Sequence, residues 1–232
     1  MSLNEGHRQR VKNRFRQDGL DNFEEVHVLE LLLFYCIPRI DTRPLAKQLI
    51  AEFGSLSQVL EATPEELMKI AGVGENVATF LKLITESGRY YQVNRHSKPQ
   101  ILNTTELCGS FLVPYFFGRR NETVFLLCLD AKCKLLCCKE IGEGSVNSAS
   151  IPIRRIVEIA LGVNATSVVL AHNHPSGLAL PSGDDVVTTR RIAKALETVD
   201  VLLADHVVVS DDDFVSMAQS GLYRPGDSMM QG

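Results

Sequence analysis

Apolar positions change their spacing near residue 92. Before it they recur at helical intervals, with Val28, Leu29, Leu32 and Leu33 followed by Leu45, Leu49 and Phe53, which predicts a helical first part of the chain. After it come short β-rich runs at Thr123 to Leu129, Ser167 to Ala171 and Val207 to Val209. Helical spacing returns at Ile153 to Leu161 and at Asp184 to Val199, where Val187, Ile192, Ala195, Leu196 and Val199 fall on one side. Strands that alternate with helices predict a sheet with helices packed on it. The segment Gln92-Val93-Asn94-Arg95-His96-Ser97-Lys98-Pro99 is polar and closes on proline, as a linker does. The expected organisation is an all-α domain over 1–92, a linker over 93–103 and a mixed α and β domain over 104–232.

A chain of 232 residues suits two small domains. Hydrophobic residues at 45% and charged residues at 22% exclude a mainly disordered or collagen-like chain. The longest apolar stretches, Val28 to Ile37 (broken by Glu30) and Val124 to Leu129, fall well short of the roughly 20 residues that span a bilayer, so no membrane partner is expected. Charged text follows Met1, unlike the apolar core of a signal peptide. The six cysteines, at 36, 108, 128, 133, 137 and 138, form no Cys-x-x-Cys pair, and reduced thiols in a cytoplasmic protein are the expectation. Net charge is −4, with 13 basic and 13 acidic residues over 1–100 against 11 and 15 over 101–232. Phosphate affinity comes from clustered positive charge, so this balance argues against a nucleic-acid-binding second domain. In the first, Arg8, Arg10, Lys12, Arg14 and Arg16 form a local basic run faced only by Glu5.

The richest chemistry lies in Ser167-Val-Val-Leu-Ala-His172-Asn173-His174-Pro175-Ser176-Gly177 and on through Pro181-Ser182-Gly183-Asp184-Asp185. Side chains at i and i+2 of a strand share a face, so an apolar strand delivers both His172 and His174 to one point. A turn rich in Pro and Gly can return Asp185 to them from the start of the next helix. Two imidazoles and a carboxylate, with a fourth position for water, are the donor set of a catalytic zinc, which lowers that water's pKa to about 7. Ser182-x-x-Asp185 also has the form of a helix N-cap with an acidic third residue, which requires no metal and is compatible with one.

His172-x-His174, Pro175-Ser176-Gly177 and Pro181-Ser182-x-x-Asp185 together resemble the JAMM motif of the JAB/MPN metalloprotease superfamily, in the His-Asn-His-Pro-Ser-Gly form carried by the RadC family of DNA repair proteins. Gly6-His7-Arg8, Leu29-Glu30-Leu31-Leu32, Pro38-Arg39-x-Asp41-Thr42 and Phe53-Gly54-Ser55-Leu56 are similar to that family's N-terminal region, and Asp205-His206, Ser216 and Gly221 to its C-terminal end. The resemblance implies a cytidine-deaminase-like α/β/α metal domain with Zn2+ on His172, His174 and Asp185, acting on a peptide or isopeptide. It also implies a Glu opening a strand that ends in Leu-Asp as general acid/base; Glu122, before Thr123 to Leu129 and Asp130, matches. Glu140 and Glu143, in a Gly-rich turn, are its rivals. Ser182 matches the motif serine that steadies an oxyanion, in competition with its capping role, because one hydroxyl has one proton. Asp205-His206 reads either as support for a metal ligand or as a satisfied buried pair. Ile151-Pro152-Ile153-Arg154-Arg155 stands where the family commonly has Pro-Arg-Glu.

Leu67 to Ala78 reads helix, tight turn, helix, and its Gly72-Val73-Gly74 core resembles the helix-hairpin-helix of repair and recombination proteins. Glycines let such a turn approach a phosphate, and amides at the next helix start bind it without regard to base. DNA is therefore the partner implied for the first domain, although Glu75 lies beside the turn and Lys69 and Lys82 are its only nearby bases. Two functions compete: a zinc hydrolase, and a non-catalytic repair accessory protein with a structural metal. A DNA-directed metallonuclease ranks below both, since one His2Asp zinc suits carbonyl attack better than two-metal phosphoryl transfer. The sequence does not set the oligomeric state, and a dimer is compatible with it.

Overall fold

The first part folds into helices α1 (Leu3–Asp18), α2 (Glu25–Cys36), α3 (Arg43–Phe53), α4 (Leu56–Glu61), α5 (Pro64–Leu67) and α6 (Glu75–Asn94). The structure, a computed structural model, describes residues 3–95, 100–143, 152–175, 177–211 and 213–226. It divides into two compact units, Met1–Tyr90 and Tyr91–Gly232. Leu29, Leu33, Ala46, Leu49, Val59, Leu67, Val77 and Leu81 form the helical core, which accounts for the 3–4 residue apolar spacing. Local signals start the helices. Ser55 accepts from the Gln58 amide, Thr63 and Glu66 form a capping box, and Pro44 and Pro64 occupy first turns.

Much of the basic run is engaged inside this unit. Arg8 donates to the carbonyls of Ile37 at 2.6 Å and Ile40 at 2.7 Å, and its guanidinium lies 4.7 Å from the Phe34 ring centre. It thereby satisfies carbonyls of the turn that follows α2. Lys12 lies over Tyr35, and Arg14 lies over Phe23 and donates to the Asn22 carbonyl. These three side chains are part of the fold rather than a free cationic face.

The second unit is built on a five-stranded sheet. Its strands are β1 (Thr123–Leu129), β2 (Leu135–Glu143), β3 (Ser167–Asn173), β4 (Leu202–Ser210) and β5 (Asp213–Ser216), in the order β2-β1-β3-β4-β5. Among the described strands only β3 and β4 run parallel, and helix α9 (Gly183–Glu197) makes their crossover. Val124, Leu126, Cys128, Val168 and Leu170 face α8 (Ile153–Gly162) and α9. Phe125, Leu127, Leu129, Val169 and Ala171 face α7 (Thr105–Leu112) and the 3-10 turn Val113–Phe116. The result is an α/β/α sandwich in which β1 is buried along its whole length.

Strands β2 and β5 lie outside the β-rich runs that the sequence marks. Both are edge strands, and β2 mixes exposed and half-buried positions, so neither presents a continuous apolar signal. Part of the segment read as linker over 93–103 is also structured. Helix α6 continues to Asn94, Leu102 is buried, and Ile101 bridges to Lys134, whereas 96–99 lie outside the described residues. All six cysteines are free thiols, as expected of reduced residues in apolar surroundings.

Candidate metal centre

Strand β3 ends where its chemistry begins. His172 is its penultimate residue, and the His174 amide still donates to Val209 of β4 at 2.8 Å, so both imidazoles leave one strand line at i and i+2. Asp185 arrives at the third position of α9, fixed by a capping box. Its amide donates to Ser182 Oγ at 3.2 Å, and its Oδ2 accepts from the Ser182 amide at 2.7 Å and hydroxyl at 2.6 Å. The segment joining His174 to Ser182 is thus pinned at both ends. His172 Nε2 lies 3.0 Å from His174 Nε2 and 3.3 Å from Asp185 Oδ1, while His174 Nε2 lies 3.7 Å from Asp185 Oδ2. The three ligand atoms all fall within 4.8 Å of one another.

Neighbouring groups determine what those atoms offer. His174 Nδ1 faces the Leu178 carbonyl at 3.2 Å, and a carbonyl can only accept, so the ring proton sits on Nδ1 and Nε2 is a bare lone pair. On the other ring, His172 Nδ1 meets His206 Nε2 at 2.8 Å. The two Nε2 atoms stand 3.0 Å apart beside a carboxylate, close enough for all three groups to share one cation. The donor set fits a divalent metal.

A proton competes poorly for this position. Burial pushes the His172 pKa down to about 4, against a smaller upward pull from Asp185, and burial likewise holds His206 well below the usual histidine value. These histidines are neutral in the folded chain and charge on unfolding below about pH 6.5, so protons bind the unfolded state more strongly. Asp205, raised by burial and pulled back by its donors Ser216, Ala218, His206 and Thr105, acts in the opposite direction, one group against two. Denaturant unfolding of the metal-stripped protein should therefore show stability falling as pH drops from about 6.5 to about 4. A profile that is flat or rises across that window would contradict the neutral buried pair.

Glu122 precedes β1 by one residue. Val124, two residues after Glu122, is the register partner of His172. Thr123 is anchored there by its amide, which donates to Asn173 Oδ1 at 2.7 Å, and the Asn173 side-chain amide donates to the Asn121 carbonyl at 3.2 Å. The rival carboxylates lie on β2, one strand further from the histidines. Glu140 pairs with Arg119 at 2.8 Å, and Glu143 accepts from Asn121 at 2.9 Å.

Residues 102–222 match the family described as the RadC-like JAB domain, over more than half of the chain. The chain belongs to the RadC family. A UPF0758 protein of Fusobacterium nucleatum subsp. nucleatum is 34% identical over 226 residues, covering 94% of this chain and 97% of the relative. A UPF0758 protein of Ruegeria pomeroyi is 33% identical over 215 residues, covering 93% and 96%.

In this RadC-family chain the unusual text before the middle helix has a structural use. Arg155 donates to the Ile141 carbonyl at 2.9 Å and the Glu140 carbonyl at 3.2 Å, tying α8 to β2; Ile151 lies outside the described residues. Asp205 is a buried anchor. It accepts from Ser216 Oγ at 2.6 Å and from the amides of His206 at 2.7 Å and Ala218 at 3.0 Å. The hairpin residues lie in the helical unit. Gly72 takes φ 92°, Val73 packs into the helical core, and the Val73 amide donates to the Ile70 carbonyl at 3.0 Å, so that amide serves the turn itself. Sequence reasoning missed Thr189, one helical turn after Asp185, whose hydroxyl reaches the Asp185 carbonyl and His206. Its only signal was the i+4 spacing from a candidate ligand.

Proposed function

We propose that this RadC-family chain is a zinc-dependent hydrolase of amide bonds, of the peptidase or isopeptidase type. The observation that carries the reading is the convergence of His172 Nε2, His174 Nε2 and one Asp185 carboxylate within 4.8 Å, with His174's lone pair already turned inward. Held by these three residues, zinc supplies Lewis acidity and lowers the pKa of a water to about 7. Glu122, two residues before the register partner of His172, takes a proton from the attacking water and returns it to the leaving amine. Ser182 holds Asp185 in place; to steady an oxyanion its hydroxyl proton must leave Asp185 Oδ2, where it now donates at 2.6 Å. Substrate reaches the centre on the His174 side, because that side chain is 17% exposed while His172 and Asp185 are sealed.

The test is hydrolysis of a broad panel of peptide and isopeptide amides by protein carrying one zinc per chain. Turnover that requires the metal supports the reading. Full occupancy with no amide cleaved anywhere in the panel would instead support a non-catalytic accessory protein with a structural metal.

A further inference from the structure

The hydrogen bonds behind the metal site form a directed chain, and elementary donor counting sets its direction. Thr189 Oγ1 lies 2.6 Å from the Asp185 backbone carbonyl and 2.6 Å from His206 Nδ1. The carbonyl can only accept, so the single Thr189 proton goes to it; Met217 Sδ, at 3.6 Å, is a far weaker acceptor. At 2.6 Å a second acceptor facing that oxygen would be repelled, so His206 Nδ1 carries a proton and donates to Thr189. A neutral His206 then presents a bare Nε2, which at 2.8 Å accepts from His172 Nδ1–H. The remaining nitrogen, His172 Nε2, is left without a proton and points at His174 and Asp185.

We propose that Thr189 and His206 are positioning residues that lock His172 in its Nδ1–H tautomer. The chain begins on the backbone of one ligand, Asp185, and ends on the ring of another. It presents His172 Nε2 to the site before any metal arrives and ties that ring to the first turns of α9. The inference deepens the metal-centre reading and rests on it for its consequence, though the tautomer itself can be measured without metal.

Two features of the fold make the relay a built arrangement. Thr189 and His206 are both fully buried, so water does not substitute for a missing partner. His206 faces the metal side only because β4 carries a one-residue bulge: Val168 pairs with Leu203 but Val169 with Asp205, leaving Ala204 extra. Regular alternation from Leu203 would turn His206 to the opposite face.

Removing the Thr189 oxygen should reverse the chain. In Thr189→Val, His206 Nδ1–H loses its acceptor, so the ring is better served by carrying its proton on Nε2 and donating to His172 Nδ1. His172 then holds its own proton on Nε2, facing the metal position. Each imidazole keeps one proton throughout, so only their placement changes.

The experiment is nitrogen-15 NMR of the histidine rings in metal-free protein in mildly alkaline buffer, combined with zinc affinity by chelator competition. The wild type should show His172 and His206 both protonated at Nδ1. Thr189→Val should show His172 protonated at Nε2 and bind zinc about 10–100-fold more weakly, and Thr189→Ser should restore both readouts. An Nε2–H His172 in the wild type would overturn the proposal, as would a Thr189→Val chain that binds zinc as tightly as wild type. If Thr189→Val does not fold, the wild-type spectrum alone decides. A wild type that binds no zinc while His172 stays Nδ1–H would defeat the metal-centre reading but leave the relay standing.

Discussion

Glu122→Gln should keep its metal and lose its chemistry. We expect zinc content equal to that of the parent chain and a fall in kcat of about 10²–10⁴-fold, the range for removing a general base. An amide oxygen still accepts a hydrogen bond, but it does not hold a proton at neutral pH, so the water loses its acceptor and the leaving amine its donor. The side chain is half-buried just before β1, and the amide is the same size as the carboxylate, so the fold should be unaffected. Zinc assay and hydrolysis rate on the same preparation separate the outcomes. Loss of metal would make Glu122 a ligand. An unchanged rate would remove it from the reaction and turn attention to Glu140 and Glu143 on β2.

His174→Ala should do the reverse and strip the metal. The substitution removes one of three protein donors, and zinc affinity should fall on the order of a thousandfold, given total site energies of about 10 kcal/mol or more. The imidazole is partly exposed and its hydrogen bond to Leu178 is local, so the apo fold should survive. A ligand that binds only the folded state raises its stability, by roughly 4 kcal/mol at a thousandfold excess over Kd. Added zinc should thus raise the Tm of the parent and leave that of His174→Ala unmoved. Equal shifts in both chains would place the binding elsewhere.

The cluster of His172, His174 and Asp185 was legible because it is local in sequence. An apolar strand, a His-x-His pair and a Ser-x-x-Asp cap lie within one strand, loop and helix start, and each follows a short-range rule. Strand β1 and helices α8 and α9 were legible for the same reason, since one periodicity runs through each. The relay was not legible. It depends on the bulge at Ala204, which decides the face of His206, and on a contact between Thr189 of α9 and a residue of the following strand. The basic run shows a related limit. Its charges are countable, but the carbonyls that engage Arg8 belong to residues 29 and 32 positions further along the chain. Charge tallies do not reveal such partners, and the basic run is in part the brace of the turn after α2.

X-ray absorption at the zinc edge decides whether His172, His174 and Asp185 hold one metal ion. On wild-type protein loaded with one zinc per chain, we expect nitrogen and oxygen neighbours at about 2.0–2.2 Å, an imidazole pattern for two rings, and no sulfur. A sulfur shell near 2.3 Å would place the ion on cysteines, and failure to retain zinc at all would leave the three side chains without the cation their geometry requires.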